Sequence, residues 1–188
     1  MDNWSFTYCN VDDRSVSGDI NALFPGFGGD EVLLVMSPHD DDAVIGAGYA
    51  MLAARQAGAE GYVMISCRGD AGYSTVEEKD TIEEVRVRET CECYARLGLD
   101  RDHIVRLNFP DFSAISRWGW EKADGAPGEM PTVLQFLRDR KVTRVMVPNH
   151  YHEHIDHLAT YMMGSYNAPQ AGDAMLVDHG TPHAVRST

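Results

Sequence analysis

From Glu31 onward the chain alternates short apolar runs with longer amphipathic segments. That alternation predicts βαβ units and a parallel sheet covered by helices. Strands are expected at Val32 to Met36, Tyr62 to Cys67, Ile104 to Phe109 and Arg144 to Pro148, each short, rich in β-formers and bounded by turn residues. Helices are expected at Ala43 to Gln56, stopped by Gly58; Val76 to Leu97, stopped by Gly98; Met130 to Arg140, with Pro131 in its first turn; and Ile155 to Tyr166. Glu83, Glu84, Arg86, Arg88, Glu89 and Glu92 give the second helix a charged face suited to solvent. Residues 1–29 are polar, end in FPGFGGD and alternate only from Trp4 to Tyr8, so they read as an N-terminal extension. Residues 30–188 read as one domain.

In open α/β sheets, ligands collect beyond the carboxyl ends of the strands. SPHDDD follows the first expected strand, CRGDAGYS the second, PDFS the third and NHYHEHIDH the fourth. All four polar clusters therefore fall on one edge of the expected sheet.

Three adjacent aspartates repel one another, which raises the cost of ionising all of them. One of Asp40, Asp41 and Asp42 is accounted for as a cap on the following helix, where free N–H groups and the helix dipole favour carboxylates. A divalent cation would account for more, because His39 and Asp42 are three apart in a tight turn and can aim at one point. Half of the eight histidines, His150, His152, His154 and His157, lie between residues 149 and 157. A polar loop with incidental histidines is the plain alternative. Asp156 and His157 open the last helix, where the dipole disfavours imidazolium and suits His157 as a neutral ligand.

Together the loops offer His39, Asp42 and His157, two imidazoles and a carboxylate with a fourth position open, the arrangement of catalytic zinc. Zinc lowers the pKa of bound water toward about 7 and polarises a carbonyl, which amide or ester hydrolysis requires. Asp41 adjoins a ligand without being one and suits a general base. His154 suits the developing oxyanion, with Asp156 to orient or charge it.

With 16 Lys and Arg against 29 Asp and Glu, the net charge of −13 disfavours nucleic acid and anionic membranes as partners. A small ligand or a cation fits better. No window approaches the roughly 20 apolar residues of a membrane span, and the N-terminus lacks a signal-peptide pattern, so a cytoplasmic location is expected. Cys9, Cys67, Cys91 and Cys93 form no CxxC pair and indicate neither a zinc knuckle nor a disulfide framework.

HDDDA, residues 39–43, and HIDH, residues 154–157, resemble the two signatures of the LmbE-like or PIG-L family of zinc-dependent N-acetylglucosaminyl deacetylases. The first signature is His-Pro-Asp-Asp-Glu, matched at His39, Asp41 and Asp42; the second, His-x-Asp-His, is matched in full. CRGDAG, residues 67–72, resembles the family's Thr-x-Gly-Glu-x-Gly loop, and RVRETCECYARLG, residues 86–98, its Arg-x-x-Glu helix ending in Leu-Gly. The resemblance runs from about residue 31 to 160. It implies a Rossmann-like three-layer α/β fold, a mainly parallel sheet with helices on both faces. It also implies zinc at His39, Asp42 and His157, Asp41 as base, and His154 supported by Asp156 as acid or oxyanion partner. Arg86 and Asp111 would contact sugar hydroxyls. The implied reaction removes an acetyl or other small acyl group from an amino sugar or its conjugate.

Asp40, Ala43 and Cys67 stand where the family pattern has proline, glutamate and threonine, and only 31 residues follow His157. A short variant, a fragment, or a site completed by a second copy in a homo-oligomer would each fit that ending. Fe2+, Co2+ or Mn2+ could occupy the same donors. A two-metal phosphoesterase, with ions about 3.5–4 Å apart, and a non-catalytic sugar- or nucleotide-binding relative are the competing readings.

Overall fold

The computed structural model describes residues 4–151 and 153–188, so His152 of the histidine-rich loop lies outside the described residues. Its strands are β1 (Tyr8–Cys9), β2 (Val16–Ser17), β3 (Val32–Ser37), β4 (Glu60–Cys67), β5 (Ile104–Phe109) and β6 (Arg144–Met146); its helices are α1 (Asp42–Gln56), α2 (Ile82–Arg96), α3 (Met130–Asp139) and α4 (Ile155–Gln170). The expected α/β class holds. Four parallel strands run in the order β5-β4-β3-β6, flanked by the helices.

Side-chain alternation sorts the two faces. Leu33, Val35, Val63 and Ile65 point to one side and pack with Ala43, Ala47 and Met51 of α1 and Tyr94 of α2. Leu34, Met36, Tyr62 and Met64 point to the other and pack with Val133, Leu134 and Leu137 of α3 and Ala159 and Met163 of α4. β3 is buried on both faces, which is why its sequence is one continuous apolar run. At Gly164 of α4 an added Cβ would fall 2.3 Å from Val147 Cγ1 and 2.7 Å from Met36 Sδ, so glycine lets α4 sit down on the sheet beside the site.

Several expected boundaries move, among them the start of β4, which lies two residues earlier at Glu60. The segment read as one helix from Val76 divides, because Thr75 and Glu78 form a capping box that closes a separate 3-10 turn, Val76–Glu78, before α2 begins at Ile82. β6 is two residues shorter than expected, and α4 runs four residues further, to Gln170, with Pro169 tolerated in its final turn. Between Ile65 and Cys67 of β4, β5 carries one extra residue, with Asn108 left-handed at φ +56°. Such a bulge bends its strand and increases the local twist.

The polar segment before β3 is ordered against the domain. β1 and β2 form a short antiparallel pair, Phe24 is buried, and the Arg144 guanidinium lies 5.6 and 5.8 Å from the ring centres of Phe24 and Phe27. Glu31 joins these parts. It accepts from Arg144 Nε at 3.1 Å and Nη2 at 3.2 Å, from Arg186 Nη1 at 2.9 Å, from the Gly28 N–H, and from Thr143 Oγ1. Burial alone would raise its carboxyl pKa, but the Thr143 and Arg144 hydrogen bonds outweigh burial and hold it below the usual glutamate range.

Glu31→Gln would leave the Arg144 charge buried without its partner, and a loss of about 3–5 kcal/mol at neutral pH is expected by denaturant unfolding. Glu31's folded pKa lies below its unfolded value of about 4.3. Its contribution is therefore complete above that value and lost as pH falls through the lowered one. The wild type should lose its advantage over Glu31→Gln on acidification; a pH-independent difference would refute the linkage.

Candidate metal centre

The turn from β3 into α1 is closed by its own side chains. Ser37 Oγ donates to the His39 carbonyl at 2.6 Å and accepts the Ala43 N–H at 3.0 Å, and Asp42 Oδ2 reaches back to the His39 N–H at 3.0 Å. This folds His39 and Asp42 onto one point. Asp42 Oδ2 lies 3.1 Å from His39 Nδ1 and 3.3 Å from His157 Nε2. His157 arrives from the first turn of α4, across the sheet end from α1. The three donor atoms lie within 4.8 Å of one another.

That donor set fits a divalent metal. Two ligands at about 2.1 Å from a tetrahedral ion stand about 3.4 Å apart, close to both observed separations. His39 and Asp42 are partly buried, and their polarity is coupled. Burial would lower the His39 pKa, yet hydrogen bonds to Asp156 and Asp42 push it up to about 12. Burial would raise Asp42, but hydrogen bonds from His39 hold it below the usual aspartate range. A proton on His39 and a divalent cation answer the same need, positive charge between carboxylates.

Asp156 is completely buried. Its Oδ2 accepts the Phe112 N–H at 2.6 Å and lies 3.4 Å from His39 Nε2; its Oδ1 accepts the Ala114 N–H at 3.0 Å. Burial opposes its charge, but His39 and these backbone donors lower its pKa to about 2. A carboxylate on the far nitrogen of a metal-binding imidazole is the usual orienting partner, fixing tautomer and ring direction. Thus Asp156 orients His39 in this structure. Its Oδ2 is 3.9 Å from His154 Nδ1, beyond hydrogen-bond reach; that nitrogen instead accepts the Asp156 N–H at 3.2 Å, making His154 the N-cap of α4.

The rings of His39, His154 and His157 converge, with centroids 4.9–5.5 Å apart. Phe112 packs on His154 at 5.0 Å and holds a left-handed φ of +63°, an unfavourable conformation for an aromatic residue that the Asp156 hydrogen bond helps maintain. His150 stacks on Tyr151 instead and belongs to neither His/Cys/Asp cluster among the described residues.

Asp41 is exposed, and as N-cap of α1 it makes no side-chain capping bond. It shares a cleft of about 190 Å³ with Arg86, Glu89 and Thr90, while Asp42 and His157 line a cleft of about 340 Å³ beside Met146 and Val147. Arg86 is engaged locally, with Nη1 3.0 Å from Glu89 and Nη2 3.4 Å from the Gly72 carbonyl. Asp111 accepts the N–H groups of Gly69 and Ala71, both at 2.9 Å. In this structure it ties the third loop to the second.

Two participants escaped the sequence reading. Cys67 is buried within 4.8 Å of the ligating atoms of both His39 and Asp156, and burial pushes its thiol up to about 11 despite a hydrogen bond from His39. Asp40 is paired with Arg106. Cys67 carried only its departure from the family's threonine as a signal; Arg106 carried none, lying mid-strand and 66 residues from its partner.

The profile of a family described as PIG-L: GlcNAc-PI de-N-acetylase matches residues 34–166. No curated protein matches in a whole-sequence comparison. Among solved structures, a conserved protein from Thermus thermophilus is similar at 28% identity and a TM-score of 0.63, over 82% of this chain and 63% of that one. The N,N'-diacetylchitobiose deacetylase from Pyrococcus horikoshii is similar at 20% identity and 0.68, over 85% and 56%. The 4-carboxy-2-hydroxymuconate hydratase from Pseudomonas putida is similar at 16% identity and 0.63, over 82% and 62%. The chain thus spans less than two thirds of each, and the last two likenesses show the fold alone.

Proposed function

The chain belongs to the PIG-L family, and on that premise we propose that it is a metal-dependent hydrolase that removes an acetyl or small acyl group from the nitrogen of an amino sugar or its conjugate. The observation that carries this is the convergence of His39 Nδ1, Asp42 Oδ2 and His157 Nε2 on one point.

His39, Asp42 and His157 would hold the ion, zinc or another divalent transition metal. Bound there, it supplies a more acidic water and draws electron density from the amide carbonyl. Asp41, with no competing hydrogen bond as a cap, takes a proton from the attacking water and returns it to the leaving nitrogen. His154 faces the carbonyl oxygen as charge develops, its Nδ1 held by the Asp156 N–H so that Nε2 is the nitrogen available to donate. Asp156 keeps His39 aimed. Arg86 opens onto the cleft it shares with Asp41, which supports it as a sugar contact; Asp111 supports binding by shaping the second loop.

A shared fold does not choose the chemistry, since the similar structures include a hydratase as well as a deacetylase. The donor set favours a single ion over the phosphoesterase reading. Among the described residues the second cluster, His39, Cys67 and Asp156, borrows His39 from the first and offers no independent set of oxygen ligands. Among the described residues no helix is long and apolar enough to cross a membrane.

The test measures metal content and acetate release from N-acetylglucosamine and its β-linked conjugates, before and after chelation and after adding back Zn2+, Fe2+ or Co2+. Acetate release should stop on chelation and return with metal. Release that ignores chelation, or loaded protein that hydrates carbon–carbon double bonds and leaves amides intact, would overturn the proposal.

A further inference from the structure

We infer that Asp40 and Arg106 form a positioning pair that holds the metal-binding turn in its working geometry, an inference that rests on the metal-centre reading above. Asp40 lies between a proposed ligand, His39, and the proposed base, Asp41. Although it adjoins the start of α1, its carboxylate turns toward β5 and α2, where its hydrogen-bond partners lie. Oδ1 accepts from Arg106 Nη1 and from Thr90 Oγ1, and Oδ2 lies 3.4 Å from Arg106 Nη2. Tyr94 donates its hydroxyl to the Asp40 carbonyl at 3.4 Å.

Arg106 carries the connection further by donating Nη2 to the Arg68 carbonyl at 3.3 Å, in the loop after β4. One carboxylate therefore ties the turn to β5, α2 and a second site loop. The packing around it is close. Gly69 has φ +79°, and a Cβ there would fall 2.9 Å from Asp40 Oδ2 and 3.0 Å from Arg86 Cγ, so only glycine lets that loop approach. The pair is mostly buried, with side-chain exposures of 10% for Asp40 and 12% for Arg106.

A surface ion pair in this place would add little. This one separates the charges of the aspartate run: Arg106 engages Asp40, while Asp42 faces His39 and His157. The direction of the backbone through residues 39–42 sets where the His39 ring and the Asp42 carboxylate stand. Partners that orient metal ligands typically govern affinity by about 10–100-fold. Neither Asp40 nor Arg106 belongs to the metal-binding cluster; they act on it through the turn.

The experiment compares wild type with Asp40→Asn, Arg106→Met and the double variant, titrated with Co2+ alone and followed by thermal unfolding and visible absorption. Each single variant leaves one partner buried and unpaired and should lower the unfolding temperature; removing both should restore most of it. If the pair positions the turn, the double variant regains stability yet still binds Co2+ about 10–100-fold more weakly, with an altered cobalt spectrum. A double variant that recovers wild-type affinity and spectrum along with its stability overturns the inference and leaves the metal centre standing. Wild-type protein that binds no Co2+ overturns both. The decision rests on the double variant, so a single variant that fails to fold does not block it.

Discussion

His157→Ala protein is expected to retain its fold, lose its metal and lose turnover by on the order of 10³-fold or more, because a bound ion brings the water pKa from 15.7 to about 7. His157 is the cleaner ligand to remove. It stands on the first turn of α4, a fifth exposed, and contacts the cluster through Nε2 at 3.3 Å from Asp42. Asp42→Ala should empty the site as well, but Asp42 also accepts the His39 N–H, so its loss loosens the turn besides removing a donor. Metal analysis after dialysis, with circular dichroism and thermal unfolding in parallel, separates these effects. Full metal occupancy in His157→Ala would remove that residue from the ligand set. Collapse of the fold together with activity would make its role structural.

Asp41→Asn should behave in the opposite way toward metal. Asparagine keeps the shape, and Asp41 is exposed and makes no capping bond, so stability should change by less than about 0.5 kcal/mol and metal content should stay at the wild-type level. The amide cannot take a proton from water. kcat is then expected to fall by about 10²–10⁴-fold with KM nearly unchanged, the range seen when a general base is removed. Steady-state kinetics on metal-replete protein decide this. Undiminished turnover would show that the base is another group and would sink the mechanism while leaving the metal centre intact.

The contrast between these two variants also separates the readings that the family alone leaves open. A non-catalytic relative would bind metal and sugar with no dependence on Asp41, because a clamp needs no base. A phosphoesterase would bind a second ion and would not release acetate.

Much of the fold was legible because burial imposes periodicity on local sequence. The unbroken apolar run of β3 reflects its two covered faces, and the 3.6-residue pattern of α3 reflects its single packed stripe. Boundaries were legible only where a local device sets them. The Thr75–Glu78 capping box is such a device, and its signal was present but merged with the longer helical pattern. The ordering of the segment before β3 was hidden, because Phe24 and Glu31 take their meaning from Arg144, more than a hundred residues away.

The sequence by itself determined the class of fold, the edge of the sheet on which the polar loops gather, and the two imidazoles and carboxylate of His39, Asp42 and His157 that come together there. These follow from alternation along the chain and from a turn tight enough to couple neighbours three apart. Only the tertiary structure decided which partner each polar group takes. It set Asp156 against His39 rather than against His154, committed Asp111 to two backbone N–H groups, placed Cys67 beside the cluster, and paired Asp40 with Arg106. The physical reason is that a buried carboxylate must find positive charge or hydrogen-bond donors wherever the packed elements bring them. That choice depends on how β5, α2 and α4 meet at the sheet edge, which no local pattern specifies.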